Sequence, residues 1–321
     1  MNTHVDHASD ATGHAPGHEA TGHAPAHEAA SERRPSPWAD YVQLTKPRLN
    51  LLVVLTTMAG YYLGMKDGAS WLGLVHTVVG TTLVAGGASV LNQVWEKDTD
   101  LLMRRTRRRP LPAARVAPGP ALWFGLALTG LGLVELWLFA NPLAALVAFA
   151  TVLSYVLVYT PLKLVSSLST IVGAVPGALP PLIGWAAATN TLSIGGWVLF
   201  GIVFLWQMPH FLAIAWMHRD DYASAGMPLL PVIEPDGRST GRQAVLYAAT
   251  MLPVSLLPTL IGLAGPRYLL AALVLGAIVL WLSFEFAHTR TQATARRLFY
   301  ATIIYLPLLW GALVLDHARL T

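Results

Sequence analysis

Long apolar runs alternate with short polar segments along most of this chain. Nine of these runs approach the ~20 residues that a membrane-spanning helix requires, and they cover 49–66, 71–94, 119–140, 142–160, 166–188, 195–217, 243–264, 267–287 and 296–315. The pattern predicts an all-α polytopic membrane protein with nine transmembrane helices in a single bundle. Prolines inside several runs predict kinks or breaks, which a bundle interior tolerates when neighbouring groups satisfy the freed backbone.

The first 36 residues follow a different pattern. They are rich in Ala, His, Gly and Pro, and they contain the tandem nonapeptides ATGHAPGHE at 11–19 and ATGHAPAHE at 20–28. Such a segment has too little apolar surface to fold alone, and it lacks the apolar core of a secretory signal peptide. We predict a disordered His-rich tail over 1–36, dispensable for catalysis, and one intramembrane domain over 37–321. Weak binding of a transition metal by the tail is the alternative.

Composition supports the membrane class and narrows the chemistry. Of the 321 residues, 54% are hydrophobic and 12% are charged, with a mean hydropathy of +0.52. Soluble globular domains carry roughly 25% charged residues, so that class is excluded. The absence of cysteine excludes disulfides, iron–sulfur clusters, thiolate zinc sites and a cysteine nucleophile. Any catalysis must therefore use carboxylates, histidines, hydroxyls or a hard metal ion.

The basic residues predict the orientation of the nine helices. With the N-terminus in the cytoplasm, 18 of the 21 basic residues lie on the cytoplasmic side, and those outside are Lys66, Arg267 and Arg319. Such a bias follows the positive-inside rule, and one missed or invented helix early in the chain would scramble it. We therefore predict a multi-pass protein of the inner (cytoplasmic) membrane. The net charge of +4 is then topological, and we expect no nucleic-acid partner.

The segment LNQVWEKDTDLLMRRTRRRPLP at 91–112 carries the densest group of charged residues. Asn92, Glu96 and Asp100 are spaced at i, i+4 and i+8, so on a continuing helix they share one face, while Asp98 points elsewhere. An amide and two carboxylates suit Mg²⁺, which completes its shell with phosphate oxygens and water. Five arginines follow, and guanidinium groups match phosphate oxygens. The segment predicts a metal–diphosphate site, with a simple solvated loop as the alternative reading of the arginines.

The segment FLWQMPHFLAIAWMHRDDYASAGMPLLP at 204–231 is the second candidate region. Gln207 and His210 lie one turn apart in the sixth apolar run, and His218 follows two turns later on nearly the same face. Asp220 and Asp221 add an acidic patch. A hydrogen-bonded structural histidine and a hydrated helix end are the alternatives. In a third region, Lys163 of YTPLK at 159–163 could contact a phosphate or only anchor its loop.

These segments resemble the UbiA superfamily of intramembrane prenyltransferases. The first acidic motif of that family, Asn-Asp-x-x-Asp-x-x-x-Asp, is met by Asn92, Gln93, Glu96 and Asp100, with Gln and Glu each replacing one Asp. TKPR at 45–48, RTRRRPL at 105–111, YTPLK, WQMPHF at 206–211 and DDYASAGMPLLP at 220–231 are similar to the branch of the family that farnesylates haem. The resemblance covers residues 40–315 and leaves out the tail.

The resemblance implies a nine-helix bundle with its active site at the cytoplasmic helix ends. There, Mg²⁺ assists the loss of diphosphate from farnesyl diphosphate, and the farnesyl group passes to a vinyl group of haem B to give haem O. The implied partners are farnesyl diphosphate, haem B and membrane lipid. One departure from the family concerns its second motif, where His218 and Tyr222 stand at the positions of two aspartates in many members.

The resemblance and the residue chemistry together give each candidate a role. The predicted metal ligands are Asn92, Glu96, Asp100 and Asp221, and these residues with Asp220 form the predicted catalytic set. The predicted diphosphate contacts are Arg105, Arg109 and Lys163, with Arg48 a weaker candidate because it also sits at the entry of the first helix. The haem-binding candidates are Gln207, His210 and His218.

Two other functions remain open from the sequence. A related prenyltransferase acting on a quinone or chlorophyll precursor would share the Asn92, Glu96, Asp100 stripe without an evident need for WQMPHF. A divalent-cation transporter with a His-rich sensor tail would place its acids near the bilayer midplane. This sequence instead concentrates them at predicted cytoplasmic helix ends.

Overall fold

A computed structural model describes residues 36–65 and 70–317. Residues 1–35 of the predicted tail, Lys66 and Arg319 therefore lie outside the described residues. The described parts of the chain are helical, and the elements are α1 Pro37–Leu44, α2 Pro47–Gly64, α3 Trp71–Leu102, α4 Pro118–Phe139, α5 Pro142–Leu153, a π-helix Ser154–Tyr159, α6 Thr160–Leu162, α7 Ser169–Thr189, α8 Ile194–Met217, α9 Arg219–Ser224, α10 Leu230–Ile233, α11 Arg238–Leu260, α12 Pro266–Thr289 and α13 Gln292–His317.

Eight helices in the described part of the chain are long and apolar enough to cross a membrane. They are α3, α4, the continuous stretch Pro142–Leu162, α7, α8, α11, α12 and α13. Helix α2 has 18 residues, but Arg48 and Asn50 near its start make it less apolar than these eight. The structure thus supports a multi-pass membrane protein, and a ninth span over 49–66 stays a prediction.

Local sequence explains where several helices begin. Ser70 and Asn141 are side-chain N-caps that accept hydrogen bonds from Gly73 N and Ala144 N, each at 2.9 Å. These bonds satisfy amide groups that a helix start leaves without a partner. Pro47, Pro118 and Pro266 occupy first-turn positions, where the missing N–H costs no intrahelical bond.

Small residues allow close helix contacts, as is common when helices associate in a membrane. A Cβ on Gly60 would collide with the carbonyl of Pro181 in α7, and one on Gly184 would collide with the carbonyl of Thr57 in α2. Thr57 Oγ1 also donates to the Pro180 carbonyl at 3.1 Å. Helices α2 and α7 therefore meet backbone to backbone.

Two large clusters of buried apolar side chains form the core. One joins α8, α11, α12 and α13 with residues of α2 and α7, and the other joins α3, α4, α5 and α7. Many large apolar side chains remain on the outside, such as Trp123 and Leu270, which are 72% and 64% exposed. An outer surface of this kind suits lipid better than water. Helix α7 runs unbroken through Pro176, Pro180 and Pro181, and all three are buried.

Candidate functional site

A cavity of about 460 Å³ opens between one set of helix ends. Its wall comes from the start of α2, the last turns of α3, the π-helix and the loop after α6, the first half of α7 and the second half of α8. Residues from the loops after α3 and α8 complete it. The volume lies within the range of about 300–1,000 Å³ that is usual for small-molecule sites. Most of the sequence-predicted site residues face this cavity.

The stripe of Asn92, Glu96 and Asp100 lies on one buried face of α3 and lines the cavity. Helix α3 continues for 32 residues, well beyond the apolar run 71–94, so the i, i+4, i+8 spacing is realised on an unbroken helix. Asp98 lies off this face, with its side chain 86% exposed beside Lys97. The helical period therefore places Glu96 and Asp100 at the cavity and leaves Asp98, between them in sequence, in solvent.

Each member of the stripe has one basic partner from a different segment. Lys46 Nζ donates to Asn92 Oδ1 at 2.9 Å, and Asn92 Nδ2 donates to Thr160 Oγ1 at 3.1 Å. Lys163 Nζ lies 2.6 Å from Glu96 Oε1. These contacts hold three elements together around the amide and carboxylate oxygens.

The third pair joins Arg109 to Asp100 at 2.7 Å, through the guanidinium Nη1 and the carboxylate Oδ2. Thr106 Oγ1 donates to the Asp100 carbonyl at 2.8 Å, which folds the loop after α3 back onto its last turn. Asp100 Oδ1 is buried without a hydrogen-bond partner among the described residues. A buried carboxylate oxygen without a donor is unusual, and a bound cation would supply what it lacks.

The pKa values of the two lysines of the site are shifted in opposite directions. Burial lowers the pKa of the Lys46 ammonium to about 7, with a further lowering from Arg109, against the opposing charge of Glu96. Burial also opposes the charge on Lys163, but Tyr159 and Glu96 outweigh it and raise the pKa of that ammonium. Lys163 is therefore a firmly charged group, whereas Lys46 gains most from an additional anion nearby.

Aromatic rings cover the wall beside Lys163. Its Nζ lies 4.4 Å from the ring centroid of Tyr159, which stacks on Tyr155 at 5.5 Å. Both rings belong to the π-helix, a rare local winding that is frequent at functional sites. Tyr159 packs against Gly173 of α7, where a Cβ would collide with the ring. The sequence pointed to Tyr159 through YTPLK, whereas nothing in it singled out Tyr155.

The other predicted basic residues differ in position. Arg105 and Arg109 line the cavity, and Arg105 Nη2 donates to Tyr222 Oη at 3.2 Å. Arg48 is exposed and lies outside the lining, whereas Lys46, two positions earlier, belongs to it. Lys46 is thus a site residue that the sequence reasoning passed over, although it stands in the same TKPR segment. The remaining arginines of the loop, Arg104, Arg107 and Arg108, are exposed.

The second acidic segment approaches the cavity through Tyr222. Asp220 is 97% exposed and Asp221 is half-buried, and neither lines the cavity. His218 is half-buried behind them, and burial lowers its pKa with help from Arg105, against the opposing effect of Asp221. Their predicted roles stay predictions.

Helix α8 presents Gln207 and His210 to the cavity. Gln207 Nε2 donates to the carbonyls of Ala174 and Val203 at 3.0 and 3.2 Å, and its Oε1 packs on Gly177, where a Cβ would collide with it. Because both amide protons are used in these bonds, the amide oxygen is held in a fixed orientation. His210 Nδ1 lies 2.9 Å from Thr302 Oγ1 of α13.

The donor set fits a hard divalent cation more closely than a transition metal. Within residues 36–65 and 70–317, no three His, Cys, Asp or Glu side chains cluster closely enough to hold a metal ion. Two carboxylates and one amide are present, with a buried oxygen of Asp100 left over. Mg²⁺ commonly binds through one or two carboxylates and takes its other ligands from phosphate and water.

Comparison with known proteins identifies the family. The family model described as UbiA prenyltransferase matches residues 53–309. A protoheme IX farnesyltransferase from Solibacter usitatus is 47% identical over 290 residues, covering 88% of this chain and 99% of the relative. A protein of the same name from Myxococcus xanthus is 44% identical, covering 89% of this chain and 97% of its own length.

Solved structures share the fold at low sequence identity. A digeranylgeranylglyceryl phosphate synthase has a TM-score of 0.74 at 17% identity, with 88% of this chain and 99% of that one covered. A UbiA homologue from Archaeoglobus fulgidus bound to GPP and Mg²⁺ has a TM-score of 0.59 at 14% identity, covering 85% and 99%. The resemblance seen in the motifs is confirmed: this chain belongs to the UbiA prenyltransferase family.

Proposed function

We propose that the cavity transfers the farnesyl group of farnesyl diphosphate to a vinyl group of haem B, giving haem O. The observation that carries this proposal is the pairing of Asn92, Glu96 and Asp100 with Lys46, Lys163 and Arg109 at the polar end of the cavity. Relatives at 42–47% identity named protoheme IX farnesyltransferase support the choice of substrates.

The same stripe would hold Mg²⁺. Asn92, Glu96 and Asp100 supply oxygen ligands, and Asp100 Oδ1 has no other partner among the described residues. When bound, Mg²⁺ stabilises the negative charge that develops on the diphosphate as it leaves. A UbiA homologue of similar fold binds GPP together with Mg²⁺. We propose Asp221 of the short helix α9 as a further ligand.

The basic residues around the stripe would bind the diphosphate. Lys46, Arg105, Arg109 and Lys163 all line the cavity, so their charges can act on the leaving group in a site with little water. Preorganised donors of this kind stabilise charge that appears only during the reaction. Arg48 remains a weaker candidate, because its side chain is exposed.

Diphosphate loss leaves an allylic cation, and the wall beside it suits such a species. The rings of Tyr155 and Tyr159 lie near Lys163, and Phe211 of α8 also lines the cavity. Aromatic faces attract cations, and an apolar cavity excludes the water that would consume one early. No nucleophilic side chain is needed for this step.

The porphyrin would lie against α8. Gln207 offers an amide oxygen held in a fixed orientation, and His210 adds a ring nitrogen at the same wall. His218 and Asp220 lie nearer the end of α8, and we propose that they act at the cavity entrance, His218 toward haem and Asp220 toward the diphosphate. The cavity thus has an acidic, cation-binding end and a separate face for the acceptor.

We also propose the membrane topology. Helix α2 is the ninth span, and with the N-terminus in the cytoplasm 18 of 21 basic residues lie on the cytoplasmic side. The stripe, the loop arginines and Lys163 then face the cytoplasm, where farnesyl diphosphate is soluble. The membrane is the inner membrane, residues 1–36 form a tail, and residues 37–321 form one domain.

The test is a reaction of purified protein with haem B, farnesyl diphosphate and Mg²⁺, followed by mass analysis of the porphyrin. We expect haem O, and we expect none when Mg²⁺ is omitted. Parallel reactions with quinone and chlorophyll precursors would reveal the alternative acceptor class. The proposal would be contradicted if haem B stayed unmodified while the quinone or chlorophyll precursor became prenylated in its parallel reaction.

A further inference from the structure

The His210 ring is held more tightly than a residue that only lines a cavity. It stacks between Trp206 and Phe299, with ring centroids 5.1 and 5.0 Å apart and planes within 19° and 23° of parallel. Trp206 Nε1 donates to the Thr302 carbonyl at 2.7 Å, which ties this stack to α13. One edge of the ring faces Thr302, and His210 belongs to the cavity wall.

The hydrogen bonds around Thr302 allow a proton on Nδ1 of His210. Thr302 Oγ1 lies 2.7 Å from the Phe299 carbonyl and 2.9 Å from His210 Nδ1, and a hydroxyl has one proton to donate. We assign that proton to the Phe299 carbonyl, the shorter contact, so that Thr302 Oγ1 accepts from His210 Nδ1. In a neutral imidazole the other nitrogen, Nε2, keeps a lone pair. Among the described residues, the side chain of His210 makes only the bond through Nδ1.

The proposed reaction must release one proton. The vinyl π electrons form the bond to the farnesyl cation, which leaves a positive charge on the vinyl carbon attached to the pyrrole. Water adds to that carbon through an oxygen lone pair, a C–O bond forms, and the resulting oxonium loses one proton. Farnesyl diphosphate, haem B and water thus give a farnesylated alcohol, diphosphate and one proton.

We propose that His210 Nε2 accepts this proton as water adds, and that Thr302 is the residue that positions the imidazole. This proposal rests on the proposed function. The carboxylates of the cavity are less suited, because Glu96 is paired with Lys163 and Asp100 with Arg109. The same lone pair cannot bind iron during this step, so the proposal also excludes His210 as the axial ligand in the reacting complex.

The experiment compares His210→Asn, His210→Ala and His288→Ala in the full-length protein. An Asn amide can still donate to Thr302 from nearly the position of Nδ1, but it has no basic nitrogen. We expect both His210 variants to form haem O about 10²–10⁴-fold more slowly, the usual contribution of a general base. We expect the Soret band of bound haem B to be unchanged and added imidazole to restore part of the rate of His210→Ala. His288 is exposed at the end of α12, and its variant should match the wild type.

Three results would overturn the proposal. A shifted Soret band in His210→Asn would make the residue an iron ligand. If His210→Asn keeps near-normal turnover while His210→Ala is thermally unstable, the role of His210 is structural. Full activity in both variants would remove it from the reaction. If the wild type forms no haem product while releasing diphosphate, the proposed function fails instead, and the two failures are thereby distinguished.

Thr302→Val provides a separate check on the positioning role. It removes the hydroxyl but keeps the backbone carbonyl that accepts from Trp206. We expect a slower rate that imidazole does not restore, because the side chain of His210 still fills the space. Thr302→Ser keeps the hydroxyl, and we expect it to form haem O with wild-type kinetics. Wild-type kinetics in Thr302→Val would contradict the positioning role.

Discussion

Lys163 Nζ lies 2.6 Å from Glu96 Oε1, and this contact joins the chain after α6 to the cavity face of α3. Both side chains are largely buried, at 18% and 9% exposed. A lysine so close to a carboxylate neutralises it while no metal is bound, and the same ammonium can turn to a phosphate when one arrives. In the proposed function, this one contact would therefore provide both a metal ligand and a diphosphate donor.

Glu96→Gln should slow haem O formation by about 100-fold or more, because a change even to a residue that only supports a metal ligand costs about 10–100-fold. The matched control is Asp98→Asn, an equally small change two positions away on an exposed face. Expression, membrane insertion and the rate of haem O formation would be measured for both. Near-normal turnover of Glu96→Gln would remove Glu96 from the metal site.

Lys46→Gln should weaken farnesyl diphosphate binding more than Arg48→Gln does. A charge-assisted hydrogen bond contributes about 1.5–3 kcal/mol, so we expect roughly 10–100-fold weaker binding for the lysine variant. Titration with a non-hydrolysable farnesyl diphosphate analogue in the presence of Mg²⁺ measures it. If Arg48→Gln weakens binding more than Lys46→Gln does, the diphosphate contact is Arg48, as the sequence predicted, and not Lys46.

Gly177→Ala should disturb the acceptor wall. The added Cβ would meet Gln207 Oε1, and overpacking of this kind costs about 1–3 kcal/mol. We expect a lower Tm and slower farnesylation of haem. Gly130→Ala is the control, since a Cβ there meets no other side chain, and its Tm should be unchanged or slightly higher. Equal Tm values for both variants would contradict the close packing of Gly177.

Removal of Mg²⁺ by a chelator should stop turnover, and Mg²⁺ should restore it. With Asp100→Asn, restoration should need a higher Mg²⁺ concentration, because one of the oxygen ligands is replaced by a neutral amide. The activity of each variant as a function of free Mg²⁺ concentration gives this comparison. An identical Mg²⁺ dependence in the wild type and the variant would place the metal elsewhere.

Deletion of residues 2–34 should leave turnover unchanged in metal-replete medium. The segment has hardly any large apolar residues with which to dock on the domain. The rate of haem O formation by the shortened and full-length chains, at equal protein in the membrane, would test this. A large loss of activity would show that the His-rich repeats contribute to catalysis.

The stripe on α3 could be predicted because one helical period decides it. Asn92, Glu96 and Asp100 share a face whatever surrounds the helix, and Asp98 cannot join them. The choice between Lys46 and Arg48 depends instead on backbone geometry at the start of α2. Lys46 adopts a left-handed conformation there, at φ 49°, and no spacing rule in the sequence specifies such a turn.

Contacts between distant segments were also beyond the sequence. His76 has no polar side chain one turn away on its own helix, yet it lies 2.7 Å from Glu135 of α4. Tyr222, one of several polar residues in α9, reaches the cavity and Arg105, while the more conspicuous Asp220 faces solvent. Residue type alone favoured Asp220 and Asp221 as site residues. Only the packed structure shows which residue of this short segment faces the cavity.

The contact between α2 and α7 has a consequence for how ligands enter. Because Gly60 and Gly184 leave no room for adjustment against the opposite backbone, these two helices form an inflexible frame. The loops that follow α3 and α8 meet through smaller contacts, such as Arg105 to Tyr222 and Ser224 to the Leu102 carbonyl. Any movement that adapts the cavity to a differently shaped ligand is therefore expected in these loops and not between α2 and α7.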